Sequence, residues 1–340
     1  MTGAHMAAEM AEQPGVLAAL AARREELTAQ VRACRPDPLV GSVLVARGSS
    51  DHAATFGRYL LEPATHRPAG LAAPSLVTLY HDHVDFSGYL VIASSQSGRT
   101  PEIATVTARM RASGGRTLAI TNEPGSPLAH AADAVVELHA GEEQAVPATK
   151  TFTATAAAFA LVAEALGDAP VDHAGWEHLP AAVEEVLADP APAARAAEAL
   201  VGASGMLVVA RGDAYAMALE AALKLKETTG LLAEGYSSAD LRHGPKVVVS
   251  PGFPVLVISV AGPAAADVAD LVAELRGRGA RVHEIADRPD AELPIPAGLP
   301  EPLAAIVAVV RAQQLALALA RARGLEPDAP SGLSKVTPTT

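Results

Sequence analysis

The fold of this chain is decided by residues 89–101, which read YLVIASSQSGRTP. Tyr89–Ala93 is a short apolar run, as is typical of a strand buried in a sheet. The residues that follow, Ser94–Thr100, are polar and include Gly98, which favours a turn. A helical pattern then occupies Glu102–Ala112. A strand that passes through a turn into a helix is the unit of a parallel α/β sheet.

The same order of strand, turn and helix occurs twice along the chain. Arg211-Gly212 lies 164 residues after Arg47-Gly48, each pair closing a short apolar run. Gly279-Ala280-Arg281 lies 165 residues after Gly114-Gly115-Arg116. Landmarks that recur at nearly one spacing predict two copies of one α/β unit.

We expect an α/β fold with two tandem, doubly wound parallel sheets of the flavodoxin-like kind, each in three α/β/α layers. Apolar residues at helical spacing predict one amphipathic helix from Gly15 to Arg32. The expected divisions are an N-terminal helical segment (1–38), a first domain (39–168), a helical linker (169–199), a second domain (200–323) and a C-terminal tail (324–340).

Composition and charge exclude several classes of function. The chain has 26 Lys and Arg residues against 38 Asp and Glu, a net charge of −12, which argues against nucleic-acid binding. Its single cysteine, Cys34, excludes a disulfide scaffold and fits a reducing cytoplasm. Since no apolar run reaches the roughly 18 residues of a membrane span, and no secretion signal opens the chain, we expect a cytoplasmic protein without a membrane partner.

The serine-rich loop after Tyr89–Ala93 is the first candidate binding site. Its side chains Ser95, Gln96, Ser97 and Thr100 stand where a helix begins, and free N–H groups with the helix dipole favour an anion there. The pattern therefore fits a phosphate monoester, although a plain serine-rich turn capped by the Thr100 hydroxyl fits it equally well. The shorter turn Arg47-Gly48-Ser49-Ser50 is by itself more typical of a structural loop.

Three charged residues on one Ala- and Leu-rich helix form a second candidate. Glu220, Lys224 and Glu227 are spaced so that they share a helix face. One interpretation, slightly favoured by the spacing alone, is an exposed stripe of salt-bridged surface. The other is a buried carboxylate of raised basicity that moves a proton next to a carbonyl group.

Histidines supply the remaining candidates. His243, held by Gly244-Pro245 in a loop, is of the right type for an acid or base near neutral pH, although a lone loop histidine is more often merely solvated. His81 and His83 would share one side of a strand, but neither a cysteine nor a third ligand is near them in the sequence, so we interpret them as structural or surface residues. We expect no metal and no cofactor.

Taken together, these residues resemble the sugar isomerase (SIS) family, and most closely the isomerase half of glutamine–fructose-6-phosphate amidotransferase. The resemblance runs almost from end to end, in six motifs that occur in the family's order: Met6-x-x-Glu9-Met10-x-Glu12-Gln13-Pro14, Ser95-Gln96-Ser97-Gly98-x-Thr100, Ala148-Thr149-Lys150-Thr151-Phe152-Thr153, Leu219-Glu220 through Lys226-Glu227, Leu241-x-His243-Gly244-Pro245 and Leu333-Ser334-Lys335-Val336-Thr337.

The resemblance implies a role for each matching residue. Glu227 would shuttle a proton between C1 and C2 of the sugar. His243 would open the ring, and in this family it can come from the neighbouring subunit. Lys224 and Lys335 would line the site, with the tail closing over the ligand. The phosphate would be bound by Ser50, Ser95, Gln96, Ser97 and Thr100, and further candidate contacts are Ser49, Val146 and Ala148.

Departures from the family pattern shape the expected reaction. Ala148 replaces a serine, and Tyr80–His83 replaces a segment that contacts the sugar. We also expect no glutaminase domain, because only five residues precede Met6 and no N-terminal cysteine is present. The resemblance to stand-alone glucosamine-6-phosphate deaminases then implies conversion of glucosamine 6-phosphate into fructose 6-phosphate and ammonia.

Several alternatives stay open. They are an amino-sugar phosphate of another kind, a non-catalytic sugar-phosphate sensor, and an isomerase subunit that receives ammonia from a separate glutaminase. The expected partners are a phosphorylated amino sugar or ketose and a second copy of the chain, in a homodimer with a shared active site.

Overall fold

The computed structural model describes residues 2–335. The chain divides into two compact units. The first unit comprises Val16–Glu142, Lys150–Val171 and the chain from Ser334. The second comprises residues up to Gly15, Glu143–Thr149 and Asp172–Leu333.

A parallel five-stranded sheet forms the centre of the first unit, with its strands in the order β2-β1-β3-β4-β5. This is the flavodoxin-like order, in which a ligand site is expected between the ends of β1 and β3. From the N-terminus to the last helix of this unit, the helices and strands are α1 (Ala4–Ala22), α2 (Arg24–Cys34), β1 (Gly41–Val45), α3 (Ser49–Thr65), β2 (Ala69–Leu71), α4 (Pro74–Thr78), β3 (Tyr89–Ser94), α5 (Pro101–Ala112), β4 (Arg116–Thr121), α6 (Pro127–Ala131), β5 (Ala134–Glu137) and α7 (Lys150–Leu166).

The second unit repeats this topology, with five parallel strands in the order β10-β9-β8-β6-β7. The predicted pair of doubly wound α/β sheets is therefore confirmed. Its elements are α8 (His173–Ala188), α9 (Ala191–Leu200), β6 (Gly205–Ala210), α10 (Tyr215–Thr229), β7 (Leu232–Ser237), α11 (Ser238–Arg242), β8 (Pro254–Ser259), α12 (Ala265–Gly277), β9 (Arg281–Ala286), β10 (Leu293–Pro294) and α13 (Glu301–Ala322).

Each sheet packs its own apolar core against helices. In the first unit Val91 and Ala93 of β3 meet Ile103 and Val106 of α5. In the second unit Val255 and Val257 of β8 meet apolar residues of α12 in the same way. Both cores are made of small and branched aliphatic side chains, which agrees with an aromatic content of only 3%.

Helix α13 is long and apolar enough, by length and composition, to cross a membrane. However, 94% of its most apolar window is buried in protein. Its apolarity is therefore that of a core helix, and it packs on α8, α9 and α10.

Two local expectations from the sequence are wrong. The segment from Gly15 to Arg32, predicted as one helix, belongs to two helices, α1 and α2, which meet at Arg23. The sequence pattern did not reveal the break, because a one-residue interruption leaves the spacing of the apolar residues nearly unchanged. The strand predicted at His81 and His83 is irregular chain, in which His81 has a φ of 54° and both histidines are exposed. Four successive polar residues offer no apolar face to bury, so nothing holds this segment as a strand.

Candidate active site

The serine-rich loop leaves the carboxyl end of β3 in the first unit. The Ser95 hydroxyl accepts a hydrogen bond from the Gly98 N–H at 3.2 Å. The Gln96 carbonyl accepts a hydrogen bond from the Asn122 N–H at 3.1 Å, which ties the loop to the residues after β4. These bonds curl the backbone and fix its path.

Gly98 is required by the shape of this loop. It has a φ of 59°, which side-chain-bearing residues seldom adopt, and a Cβ there would collide with the Ser126 hydroxyl. Helix α5 begins directly after the loop, with Thr100 as its N-cap residue. Thr100 is thus the N-cap residue, as the alternative of a plain capped turn expected, although its side chain makes no capping hydrogen bond.

The turn after β1 lies against the serine-rich loop. Ser49 and Ser50 are the first residues of α3, and both are half-buried. The Ser94 hydroxyl, at the end of β3, donates to the Ser50 carbonyl at 3.3 Å. The structure therefore brings the two predicted anion-binding turns together at the β1/β3 switch point of the first sheet.

A salt bridge also joins these two turns, and the sequence interpretation missed it. Arg47 binds both carboxylate oxygens of Glu102 at 2.9 Å through Nε and one terminal nitrogen. Glu102 is in the first turn of α5 and is only 5% exposed. The available signal was an arginine in the turn after β1 and an acid in the first turn of α5, the helix that follows β3.

In the second unit, α10 buries two charged side chains and partly covers a third. The Lys224 ammonium lies 3.3 Å from Glu220 Oε1 and 2.5 Å from Glu227 Oε2. Lys224 and Glu220 are at most 1% exposed, whereas Glu227 is 20% exposed. The slightly favoured interpretation of these residues as an exposed surface stripe is therefore wrong, because this face of α10 packs against α13 and the sheet.

Opposing effects set the protonation of Lys224. Burial alone would lower the pKa of Lys224, but the carboxylates of Glu220 and Glu227 beside it raise that pKa overall. Lys224 is therefore an ammonium ion in the folded protein. A cation this close favours the carboxylate form of Glu227.

A cavity of about 730 Å³ opens beside Glu227. Its walls are the C-terminal part of α10, Leu223 to Gly230, and residues from the stretch 325–333. This volume falls within the range of small-molecule sites. Glu227 thus lines this cavity and is paired with the Lys224 ammonium.

The remaining predicted residues lie elsewhere, and nothing tests their roles. His243 is exposed, directly follows α11, and does not line the Glu227 cavity. Lys335 is half-buried. The Val336-Thr337 end of the tail motif lies outside the described residues. Val146 and Ala148 are half-buried in the loop 143–149, where the Val146 N–H donates to the Asp328 carbonyl at 2.9 Å.

Two buried carboxylates hold the loop that carries Val146 and Ala148, and the sequence interpretation gave them no role. Glu9 accepts hydrogen bonds from the backbone N–H groups of Gln144 and Ala145. Glu143 accepts one from the Thr149 N–H at 2.9 Å. Within residues 2–335, no group of three His, Cys, Asp or Glu side chains is arranged to hold a metal ion.

Comparison with known proteins identifies the family. The SIS domain model matches twice, at residues 42–165 and 199–320, so that each match covers one of the two sheets. The chain belongs to the SIS domain family. The identification made from the six motifs is confirmed.

Two curated relatives show which SIS proteins this chain resembles. It is 35% identical to glutamine–fructose-6-phosphate aminotransferase (isomerizing) of Symbiobacterium thermophilum, over 90% of this chain and 52% of the relative. It is 36% identical to the protein of the same name from Streptomyces coelicolor, over 86% of this chain and 51% of the relative. The chain therefore spans about half the length of these relatives.

Solved structures agree with this placement. A phosphosugar isomerase structure from Silicibacter pomeroyi, described as putative, has a TM-score of 0.83 and 31% identity, and covers 96% of this chain and 100% of its own. A glucosamine-6-phosphate deaminase from Thermotoga maritima has a TM-score of 0.81 and 22% identity, covering 99% of this chain and all of its own. The latter likeness shows a common fold. The chain is thus a sugar-phosphate isomerase-type SIS protein.

Proposed function

We propose that this chain converts glucosamine 6-phosphate and water into fructose 6-phosphate and ammonia through an aldose–ketose proton transfer. The observation that carries the proposal is Glu227, which lies in the wall of a cavity while the buried ammonium of Lys224 touches its other side. This arrangement presents a carboxylate, partly shielded from water, to a ligand. A carboxylate in such surroundings is suited to removing a weakly acidic proton next to a carbonyl or imine carbon.

The phosphate group of the substrate is bound, in this proposal, by Ser50, Ser95, Gln96, Ser97 and Thr100. The support is local: the two turns that carry these side chains lie together at the β1/β3 switch point, where the amino end of α5 favours an anion. Anchoring the phosphate holds the reacting carbons in a fixed position.

The proposed reaction opens the sugar ring, transfers a proton and then exchanges ammonia for the oxygen of water. His243, supplied by a neighbouring copy, moves a proton from the C1 hydroxyl to the ring oxygen, which opens the ring. Glu227 then takes the proton from C2 and delivers a proton to C1, while a second proton passes from the amino nitrogen to O1, leaving an imine at C2. Water adds to that carbon, ammonia leaves, and the ketone of fructose 6-phosphate remains. Lys335, Ser49, Val146 and Ala148 contact the open-chain sugar.

The reverse direction is the second candidate. The curated relatives at 35–36% identity are named as aminotransferases that act on fructose 6-phosphate, which favours ammonia uptake over release. The same residues serve both directions, since the reverse reaction is the same proton transfer run from C1 to C2. A chain that forms glucosamine 6-phosphate from fructose 6-phosphate and ammonium, but releases no ammonia, would replace the deaminase proposal.

Ammonia release from glucosamine 6-phosphate tests the proposal directly. We expect turnover by the wild-type chain and a loss of about 10²- to 10⁴-fold in kcat for Glu227→Gln. Glu234→Gln is the matched control, because Glu234 lies on β7 with its side chain 49% exposed. Ligand-induced stabilisation without turnover in either direction would favour the sensor alternative.

A homodimer in the cytoplasm completes the proposal. His243 is exposed and does not line the Glu227 cavity of its own chain, as a histidine lent to a neighbouring site would be. Mixing an inactive Glu227→Gln chain with an inactive His243→Ala chain tests this. Recovery of activity in the mixture supports a shared site, and no recovery after verified exchange of subunits contradicts it.

A further inference from the structure

The second sheet has a switch point of its own, at the ends of β6 and β8. Two glycines follow these strands, Gly212 after β6 and Gly262 after β8. Each lies 164 residues after a glycine of the serine-rich switch point in the first sheet, Gly48 or Gly98 (212 − 48 and 262 − 98). The fold therefore builds the same kind of backbone crevice twice.

A carboxylate of the chain itself fills the second crevice. Glu301, the first residue of α13, reaches the two glycines. A Cβ at Gly262 would collide with Glu301 Oε2, and a Cβ at Gly212 would lie 2.9 Å from Glu301 Oε1. Gly212 has a φ of 62°, close to the 59° of Gly48. The crevice is thus shaped around the Glu301 carboxylate.

The contacts of Glu301 are those that an anion would use. The Asp213 backbone N–H donates a hydrogen bond to the Glu301 carboxylate. Asp213 stands directly after Gly212, as Ser49 stands directly after Gly48 in the first unit. A backbone N–H beside a glycine at a strand end is a common donor to phosphate oxygens.

Nearby charge also closes the crevice to outside anions. Burial, and then the charge of Glu301, raise the pKa of Asp213 to about 7. Burial also raises the pKa of Glu301, although the Asp213 N–H opposes that shift. A further negative charge is therefore unfavourable here, and a phosphate ester would be disfavoured as well as obstructed.

We propose that Glu301 is a built-in anion, which occupies the ligand position of the second SIS repeat and excludes phosphate esters from it. The crevice is then a latent anion site that the chain's own carboxylate keeps shut. This inference goes beyond the proposed reaction and does not depend on turnover, because it concerns which of two similar crevices accepts a phosphate.

Equilibrium dialysis with radiolabelled inorganic phosphate tests the proposal on the full chain. The starting variant is Ser95→Ala/Ser97→Ala, which disables the loop of the first unit. We expect it to bind no phosphate, and to bind one phosphate per chain after Glu301→Ala and Asp213→Asn are added. Glu301→Gln, which fills the crevice without charge, should bind phosphate at least tenfold more weakly than Glu301→Ala in the same background.

The result of this phosphate-binding experiment does not depend on whether the chain catalyses the proposed reaction. If the first unit binds no phosphate at all, the gain caused by Glu301→Ala is still one site per chain. Folded variants, verified by circular dichroism, that gain no phosphate would overturn the proposal. If the variants do not fold, crystals of the wild-type chain soaked in phosphate test the proposal instead. We expect the Glu301 carboxylate to stay in place between Gly212 and Gly262. A phosphate ion bound between these two glycines would overturn the proposal.

Discussion

The two SIS repeats have one strand order but opposite chemistry at their switch points. In the first repeat the turns after β1 and β3 carry the hydroxyls of Ser49, Ser50, Ser95 and Ser97. In the second repeat the corresponding turns carry Arg211, Asp213 and small apolar residues, and the Glu301 carboxylate lies against Gly212 and Gly262. One backbone topology thus carries a hydroxyl-lined crevice in one copy and a crevice filled by the chain's own carboxylate in the other.

The helices that follow the first strand of each sheet differ as well. Helix α3 buries alanine, phenylalanine and leucine, whereas α10 buries Glu220 and Lys224 beside its apolar residues. Buried charges are costly unless they are paired, so a buried charged cluster on α10, at a position where α3 has none, indicates a specific use. In our proposal that use is to hold Glu227 as a carboxylate.

The largest expected effect comes from removing the cation of this triad. Lys224→Met leaves Glu220 and Glu227 close together without it, and we expect the free energy of unfolding to fall by about 3–5 kcal/mol. Urea denaturation measures this, and adding Glu220→Gln should restore part of the loss. Lys246→Met is the control, because Lys246 pairs with Glu274 at a half-exposed site, where about 1 kcal/mol or less is expected. Equal losses in the two variants would contradict the account.

The next effect tests the closed crevice through pH. Burial, helped by Glu301, raises the pKa of Asp213 from 3.8 to about 7, so the folded state holds this proton more tightly than the unfolded state does. Stability should therefore be lost as the pH rises from 4 to 7. Asp213→Asn cannot ionise, and we expect it to be about 2–4 kcal/mol more stable than the wild type at pH 8, with the difference vanishing near pH 4.

Urea denaturation of both chains between pH 4 and 8 measures this difference. Asp270→Asn, an exposed site on α12, provides the control, and its effect should not follow this pH profile. A stability difference between Asp213→Asn and the wild type that stays constant over this range would argue against a buried, protonated carboxyl in the second crevice.

A smaller effect is expected at the open crevice. Ser97→Ala and Ser95→Ala each remove a hydroxyl from the serine-rich loop, which binds the phosphate in our proposal, and a hydrogen bond to a charged group contributes about 1.5–3 kcal/mol. We expect KM for glucosamine 6-phosphate to rise roughly 10- to 100-fold for each, with a smaller change in kcat. Ser259→Ala, at the end of β8, is the counterpart in the other repeat and should leave KM unchanged. A similar rise in KM for Ser259→Ala would contradict the proposal that only the first repeat binds the phosphate of the substrate.

The smallest effect concerns the salt bridge between the two turns of the first repeat. Arg47→Met releases Glu102 and loosens the turns, and because Arg47 is half-exposed we expect KM to rise only about threefold to tenfold, corresponding to about 1 kcal/mol. Arg58→Met breaks an exposed pair with Glu62 on α3 and serves as the control. Steady-state kinetics on both variants decide whether the salt bridge positions the serine-rich loop.

The sequence predicted the features that depend on local pattern. The alternation of strand and helix patterns predicted both sheets. The recurring Arg-Gly pairs at Arg47 and Arg211 indicated that the α/β unit is duplicated. Composition of the loop after β3 gave the hydroxyl-rich turn, because a strand end, a glycine and a helix start all lie within residues 89–101.

Long-range contacts could not be predicted in this way. Spacing on α10 left the burial of Glu220 and Lys224 undecided, since it does not tell which face a neighbouring helix will cover. Glu301 lies 89 residues from Gly212 and 39 from Gly262, counted along the chain (301 − 212 and 301 − 262), so only the folded sheet brings it to them. Glu9 and Glu143 are buried acceptors for one loop for the same reason.

Hydrogen exchange during turnover tests the central claim most directly. Wild-type chain and Glu227→Gln are incubated with glucosamine 6-phosphate in deuterated water, and the fructose 6-phosphate is examined by NMR. The account predicts solvent deuterium at C1 of the product from the wild type, and a loss of both product and label in Glu227→Gln. Equal labelling at equal rates in the two chains would contradict it.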